Sequence, residues 1–144
     1  GHAKDYVRMM WMILQYEQAE DWVIATGTTT TVREFVRLSF DQVGIKLEFK
    51  GEGVDEKAFV KKCNNPEYQL EIGKQVLGVD PKYFRPTEVD LLIGDPSKAK
   101  EKLGWECQYN LTDLVKDMMQ SDIKLMQKNQ YLKDGGYSTL NYYE

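Results

Sequence analysis

The sequence predicts an α+β domain built from short strands and amphipathic helices. Three observations support this fold class. Apolar residues recur at three- and four-residue steps near both ends of the chain, residues 45–49 alternate strictly between apolar and charged, and helix-capping residues precede the helical stretches. A chain of 144 residues, 42% of them hydrophobic, fits one domain with a sizeable core.

The net charge and the apolar runs exclude two classes of partner. A formal charge of −4 is unlike the basic face on which nucleic-acid binding usually rests. No apolar run approaches the length of a membrane span, and no signal peptide is visible. Cys63 and Cys107 are far apart in the sequence, so we expect both to be free thiols. We therefore expect a cytoplasmic protein without nucleic-acid or membrane partners.

The first half of the chain predicts two helices and two strands. Asp5 is the expected N-cap of a helix over residues 5–17, whose apolar residues share one buried face. These residues are Val7, Met10, Trp11 and Leu14. Residues 22–25 form a continuous apolar run that predicts a buried strand. Thr31 and Glu34 predict a capping box for a helix that ends before Gly44, with Val32, Phe35, Val36 and Phe40 on its apolar face. The alternation over residues 45–49 predicts a half-exposed strand.

The second half begins with a stretch that has no sustained period. Residues 54–73 carry mixed charge and an Asn-Asn-Pro sequence, so we expect an irregular surface excursion. Residues 75–79 predict a short strand, followed by a turn at Asp80-Pro81. Asp95 and Pro96 predict the start of a short helix that ends at Gly104.

The last predicted helix covers residues 111–127 behind an Asn110 cap. The composition then changes, and we expect a domain over residues 1–128 followed by a polar, tyrosine-rich tail over residues 129–144. The tail is either a frayed terminus or a strap across a neighbouring subunit or domain.

Candidate binding residues lie in the sequence YFRPTEVD at residues 83–90. The planar guanidinium of Arg85 fits two phosphate oxygens at once, and the carboxylate of Glu88 can accept hydrogen bonds from two sugar hydroxyls. Pro86 holds Arg85 in an extended backbone. A clamp for a nucleotide-sugar and a structural ion pair are both consistent with this spacing. Lys4 and Arg33 are expected to be solvated charges.

Several blocks resemble the carboxyl-terminal part of the GDP-mannose 4,6-dehydratases, members of the extended short-chain dehydrogenase/reductase superfamily. They are, in family order, GHAKDYV (1–7), DWVIATG (21–27), TVREFV (31–36), YFRPTEVD (83–90), DPSKAK (95–100) and LGW (103–105). The resemblance extends to about Met126. It implies a substrate-binding domain that is normally appended to a Rossmann domain, with Arg85 on the diphosphate and Glu88 on the ribose of GDP-mannose.

The resemblance further implies a lyase that converts GDP-mannose to GDP-4-keto-6-deoxymannose with NADP, on the route to GDP-fucose and other deoxyhexoses. The chain shows neither the glycine-rich dinucleotide fingerprint nor a tyrosine followed four positions later by lysine. We therefore expect no catalytic or NADP-binding residue in this chain, which would be inactive alone. Expected partners are the Rossmann domain and, in the whole enzyme, a dimer or tetramer.

Other interpretations remain open. Arg85 and Glu88 alone do not distinguish this family from other nucleotide-sugar dehydratases or epimerases. If the chain is a complete gene product, a noncatalytic nucleotide-binding or oligomerisation module is the better hypothesis. No metal site is expected, because His2 is the only histidine and the two cysteines are isolated.

Overall fold

The computed structural model describes residues 1–85 and 91–139, which form an α+β fold as predicted. The α-helices are α1 (Ala3–Gln15), α2 (Val32–Gln42), α3 (Ser97–Leu103) and α4 (Leu111–Asp134). The strands are β1 (Ile45–Lys50), β2 (Lys57–Cys63) and β3 (Gln75–Gly78), and a 3₁₀ turn at Gly53–Asp55 lies between β1 and β2. No helix among the described residues has both the length and the apolarity that crossing a membrane requires.

The sheet is antiparallel, with the order β1–β2–β3. Strands β1 and β3 agree with the predictions, but the central strand β2 lies inside the stretch predicted to be irregular. Ala58 and Val60 are buried on one face of β2, whereas Lys57, Lys61 and Lys62 are exposed. This apolar alternation is brief and ends in two lysines, so the pattern is too short to predict a strand.

A buried cluster joins helices α1 and α3 to Trp105. Met9, Ala99 and Trp105 are each at most 2% exposed and pack together. The prediction for α1 was wrong in two respects. Its N-cap is His2, whose ring accepts a hydrogen bond from the Lys4 amide at 3.2 Å, and not Asp5. Its predicted buried face is exposed, with Val7, Met10, Trp11 and Leu14 exposed by 63, 56, 63 and 80%.

Helix α2 lies against β1 and α4. Its predicted start is confirmed, since the Thr31 hydroxyl accepts a hydrogen bond from the Glu34 amide at 3.2 Å. The Glu34 carboxylate, however, binds Arg37. Val32 was predicted on the apolar face but is 80% exposed. The side chain of a residue in the first turn extends toward the helix N-terminus, and Val32 there lines an open cavity.

Two helix boundaries and one predicted strand can also be compared with the structure. Asn110 and Asp113 form a reciprocal capping box at the start of α4, but the helix continues to Asp134 and not to residue 127. Helix α3 ends at Gly104 as predicted, and Gly104 has the left-handed conformation. Residues 22–25 are not a strand, because an isolated extended segment needs a neighbour for its backbone groups, and the described sheet contains only β1, β2 and β3.

Candidate functional site

Arg85 lies directly after a well-defined turn. The Asp80 carboxylate accepts a hydrogen bond from the Lys82 amide at 2.9 Å, and the Asp80 carbonyl accepts one from the Tyr83 amide at 3.0 Å. Phe84 continues the turn through its amide, which donates to the Pro81 carbonyl. The predicted turn is therefore confirmed, and it presents Arg85 at an exposed position at the end of a described segment.

Glu88 lies outside the described residues, so its distance from Arg85 and its proposed contact with ribose remain predictions. The same holds for Pro86. Residues 91–96 lead into α3. Asp95 lies just before this helix, where its carboxylate accepts hydrogen bonds from the Ser97 hydroxyl and then the Ser97 amide, which lower the pKa of Asp95. The prediction of Asp95 as the helix cap and Pro96 as the first helical residue was wrong by one position, since the N-cap is Pro96 and the helix begins at Ser97, while Asp95 braces the residues just before it.

A cavity of about 680 Å³ lies elsewhere, between the start of α2 and the start of α4. It is lined by the first two residues and by parts of residues 26–35 and 107–114. Thr26, Thr28 and Asn110 supply hydroxyl and amide groups that can bond to a polar ligand. Its described lining contains no lysine or arginine, and Arg85 does not belong to it. The cavity therefore lacks the cationic fork that a diphosphate favours.

A buried polar network joins the start of α1 to the wall of this cavity. The Asp5 carboxylate is 1% exposed and accepts hydrogen bonds from the amides of Gln108 and Tyr109 at 3.0–3.1 Å. The Asp5 carbonyl accepts a bond from the Trp105 indole at 3.1 Å. Arg8 lies 3.5 Å from the Asp5 carboxylate and also donates to the Glu106 carbonyl. These bonds satisfy a buried carboxylate and fix residues 105–109.

His2 completes the network. Because the Lys4 amide donates to Nδ1, the proton of the neutral ring is on Nε2, which donates to Asp117 at 3.2 Å. The ring also stacks on Tyr109, with centroids 4.4 Å apart. His2 and Asp5 therefore have structural roles that the sequence prediction missed. In the sequence, these are two polar residues beside a run of apolar ones. That pattern does not identify the distant residues with which they form hydrogen bonds.

Cys107 lines the cavity as a free thiol. Partial burial, and then the nearby Asp5 charge, raise the pKa of Cys107. The thiol is thus held in its protonated form, which is the less reactive one. Nothing in this arrangement activates it as a nucleophile.

Comparison with known proteins defines first the class and then the family. A family model described as GDP-mannose 4,6 dehydratase matches residues 1–118. A GDP-mannose 4,6-dehydratase of Yersinia enterocolitica is 49% identical over 139 residues, and one of Vibrio cholerae is 47% identical over 138. A GDP-mannose 4,6 dehydratase of Drosophila melanogaster is 49% identical over 131 residues. The chain is thus a nucleotide-sugar dehydratase homologue, and it belongs to the GDP-mannose 4,6-dehydratase family.

The matches cover nearly all of this chain but a minority of each relative. They include 95% of the chain and 37% of the Yersinia protein, and 90% of the chain and 30% of the Drosophila protein. The chain therefore spans about a third of the length of the curated relatives that it matches.

Proposed function

We propose that this chain is the substrate-binding part of a longer GDP-mannose 4,6-dehydratase, a lyase that forms GDP-4-keto-6-deoxymannose. The observation that carries the proposal is family membership over residues 1–118, within which the YFRPTEVD segment lies. The relatives carry the name of that activity. GDP-mannose is thus the proposed ligand, and the deoxyhexose pathway is the proposed setting.

Within that enzyme, the proposed task of Arg85 is to hold the diphosphate. A guanidinium can donate two parallel hydrogen bonds to neighbouring phosphate oxygens, and its exposure after the turn is compatible with ligand access. Glu88 is proposed to accept hydrogen bonds from the ribose hydroxyls. Binding energy from this unreactive nucleotide would position the hexose for reaction, so a residue remote from the chemistry can affect turnover.

The proposed hydride acceptor of the longer enzyme is NADP, but the described residues do not fit a site for it. All pairings in the described sheet are antiparallel, and Gly51 and Gly53 lie in a strand-to-strand connection and not at the start of an α-helix. A dinucleotide site of the Rossmann type needs a parallel strand, a glycine-rich turn and a helix N-terminus. We therefore assign no step of hydride transfer to this part of the chain.

The exposed stripe on α1 supports a larger assembly. Val7, Met10, Trp11 and Leu14 lie three or four residues apart and form one continuous apolar surface. Since the chain spans about a third of its relatives, we propose that the rest of the longer protein, a Rossmann domain, covers this stripe. A dimer or tetramer of the whole enzyme and a cytoplasmic location remain proposals, the latter supported by the free thiols of Cys63 and Cys107.

Replacing Arg85 tests the proposed clamp. In the full-length protein, Arg85→Ala should weaken GDP-mannose binding by about 2–5 kcal/mol, the typical cost of losing one partner of a charge-assisted pair. NADP binding should be unchanged, because the cofactor is expected on the other domain. Titration calorimetry with both ligands makes the comparison. Unchanged GDP-mannose affinity would leave Arg85 a structural residue, and equal losses for both ligands would indicate misfolding.

An activity assay of the isolated chain tests whether catalysis needs a further domain. With GDP-mannose and NADP, the chain of residues 1–144 should form no keto-deoxy sugar above a buffer control. Turnover would contradict the proposal that catalysis needs a further domain. The matching genetic observation is whether a glycine-rich nucleotide-binding half is encoded upstream of Gly1. Its absence would favour the noncatalytic module.

A further inference from the structure

The connection between β1 and β2, residues 51–56, folds into a compact turn that we call the platform. Gly51 has a φ of +81°, and a Cβ placed there would lie 2.4 Å from the Asp55 carbonyl oxygen. Only glycine fits such a close approach. The chain then forms the 3₁₀ turn at Gly53–Asp55, in which the Glu56 amide donates to the Gly53 carbonyl at 3.3 Å. The conformation of the platform is therefore strongly determined by its sequence.

The ring of Phe84 lies beside this platform. A Cβ placed on Gly53 would lie 3.6 Å from Cζ of Phe84, so the ring lies close to Gly53, on the side from which a side chain would extend. Phe84 remains 40% exposed, so more than half of its surface is covered. The strand register explains the proximity, because Gly78 at the end of β3 pairs with Lys57 at the start of β2. The turn that precedes Arg85 therefore leaves the sheet beside the platform.

An ion pair fastens the platform to α2. The Arg33 guanidinium donates to the Glu56 carboxylate at 2.6 Å, and the Glu56 side chain is only 18% exposed. This hydrogen bond raises the pKa of Arg33. The same guanidinium lies 5.9 Å from the Phe49 ring centroid on β1. Arg33 thus pairs with the last residue of the platform and lies near the ring of Phe49 just before it, while its side chain stays 55% exposed, as the solvated charge predicted from the sequence would be.

We propose that Arg33, Glu56 and the platform position Arg85 for nucleotide binding by holding the Phe84 ring. The inference rests on the proposed function, because it assigns Arg33, Glu56 and Phe84 as positioning residues for the same clamp. Phe84 is bonded directly to Arg85, so fixing its ring restricts the backbone from which the guanidinium extends. A guanidinium that is already restricted loses less conformational entropy when it binds a diphosphate.

The first experiment compares two neighbouring aromatic residues in the full-length protein. Phe84→Ala should raise the Kd for GDP by roughly 3- to 10-fold, the range expected when one or two side chains must be ordered on binding. Tyr83→Ala is the matched control, because Tyr83 is in the same turn but 72% exposed. Its Kd should stay within about twofold. The turnover number at saturating GDP-mannose should change less than the KM for either variant.

A double-mutant cycle separates positioning from general destabilisation. If Phe84 acts through Arg85, Phe84→Ala should weaken GDP binding no further in an Arg85→Ala background. Additive losses would overturn the inference, as would equal effects of the Tyr83 and Phe84 variants. Should Phe84→Ala fail to fold, Phe84→Leu retains a side chain against Gly53 and should bind GDP more tightly than Arg85→Ala.

The ion pair supplies an independent comparison. Arg33→Gln should weaken GDP binding, whereas Arg37→Gln should not, because Arg37 pairs with Glu34 and Asp41 within α2. Equal effects would contradict the proposal. The two levels of inference fail differently. If Arg85→Ala binds GDP normally, the clamp itself is wrong. If Arg85→Ala loses affinity while Phe84→Ala and Arg33→Gln do not, only the positioning role is wrong.

Discussion

The two sides of α1 are both apolar, yet the described residues bury only one of them. Met9 is fully buried against Ala99 and Trp105, whereas the next residue, Met10, is 56% exposed along with Trp11 and Leu14. The inner side is the core of the described fold. The apolar residues of the outer side have the spacing expected of a buried face, but they are exposed. The difference shows that apolar periodicity identifies a surface that can be buried but not the partner that buries it.

Removing the Asp5 carboxylate should cause the largest loss on the inner side. Asp5→Ala leaves the Gln108 and Tyr109 amides without their acceptor, and we expect it to lower the free energy of unfolding by about 3–5 kcal/mol. Urea denaturation of the full-length protein measures the change. Asp5→Asn keeps one acceptor oxygen and should lose less. Equal stabilities of the wild type and Asp5→Ala would show that the network is dispensable.

The adjacent methionines give the sharpest test of the comparison. Met9→Ala creates a cavity at a fully buried position and should cost about 2–5 kcal/mol. In the isolated chain, Met10→Ala should change stability by about 0.5 kcal/mol or less, as expected at an exposed site. In the full-length protein the cost of Met10→Ala should rise if another domain covers the outer side. Identical costs in both forms would contradict that covering.

Association should respond to the outer side alone. The isolated chain exposes a continuous apolar stripe, so we expect it to self-associate or to bind hydrophobic dyes. Trp11→Ser combined with Leu14→Ser should shift sizing chromatography toward the monomer without lowering the melting temperature. A wild-type chain that melts sharply as a monomer and binds no dye would indicate an independent module.

Much of the fold follows from local sequence signals. The Thr31 cap of α2, the Asn110 cap of α4, strand β1 and the turn at Asp80 all depend on residues close in sequence, and all are predicted correctly. The reciprocal capping box was predicted for α2 but is found at α4. Strand β2 was missed because its pairing with two neighbours stabilises a segment that has little intrinsic alternation.

The site was predictable to a lesser degree. The turn before Arg85 follows from Asp80 and Pro81, and the residue types at positions 85 and 88 indicate the chemistry of a clamp. The proximity of Phe84 to Gly53 could not be predicted, because it depends on how β3 pairs with β2. The role of Asp5 was likewise hidden, since the two amides that donate to its carboxylate lie more than 100 residues away.

A smaller loss of stability is expected at acid pH, from the ion pairs between Glu20 and the lysines of α3. Glu20 accepts hydrogen bonds from Lys102 and contacts Lys98, and these lysines lower the pKa of Glu20 below its usual 4.5. A carboxylate whose pKa is lowered by folding stabilises the fold above its unfolded pKa. This contribution is lost as the pH falls from about 4.5 through the lower, folded value.

Melting temperatures between pH 6 and pH 3 measure this effect. Glu20→Gln should flatten the acid side of the profile slightly, because exposed ion pairs contribute little. Glu17→Gln, at an exposed glutamate three residues earlier, is the control and should leave the profile unchanged. Identical profiles for the wild type and both variants would show that the lysine contacts of Glu20 do not stabilise the fold.

The bonds from Asp5 to residues 108 and 109 also constrain the order in which the chain can fold. They join positions 103 and 104 residues apart, so they can form only after most of the chain has left the ribosome. The pairing of β1 with β2, by contrast, closes a short loop at Lys50 and Lys57. We expect the hairpin amides to gain protection early in pulse-labelled hydrogen exchange, and those of Gln108 and Tyr109 to gain it last.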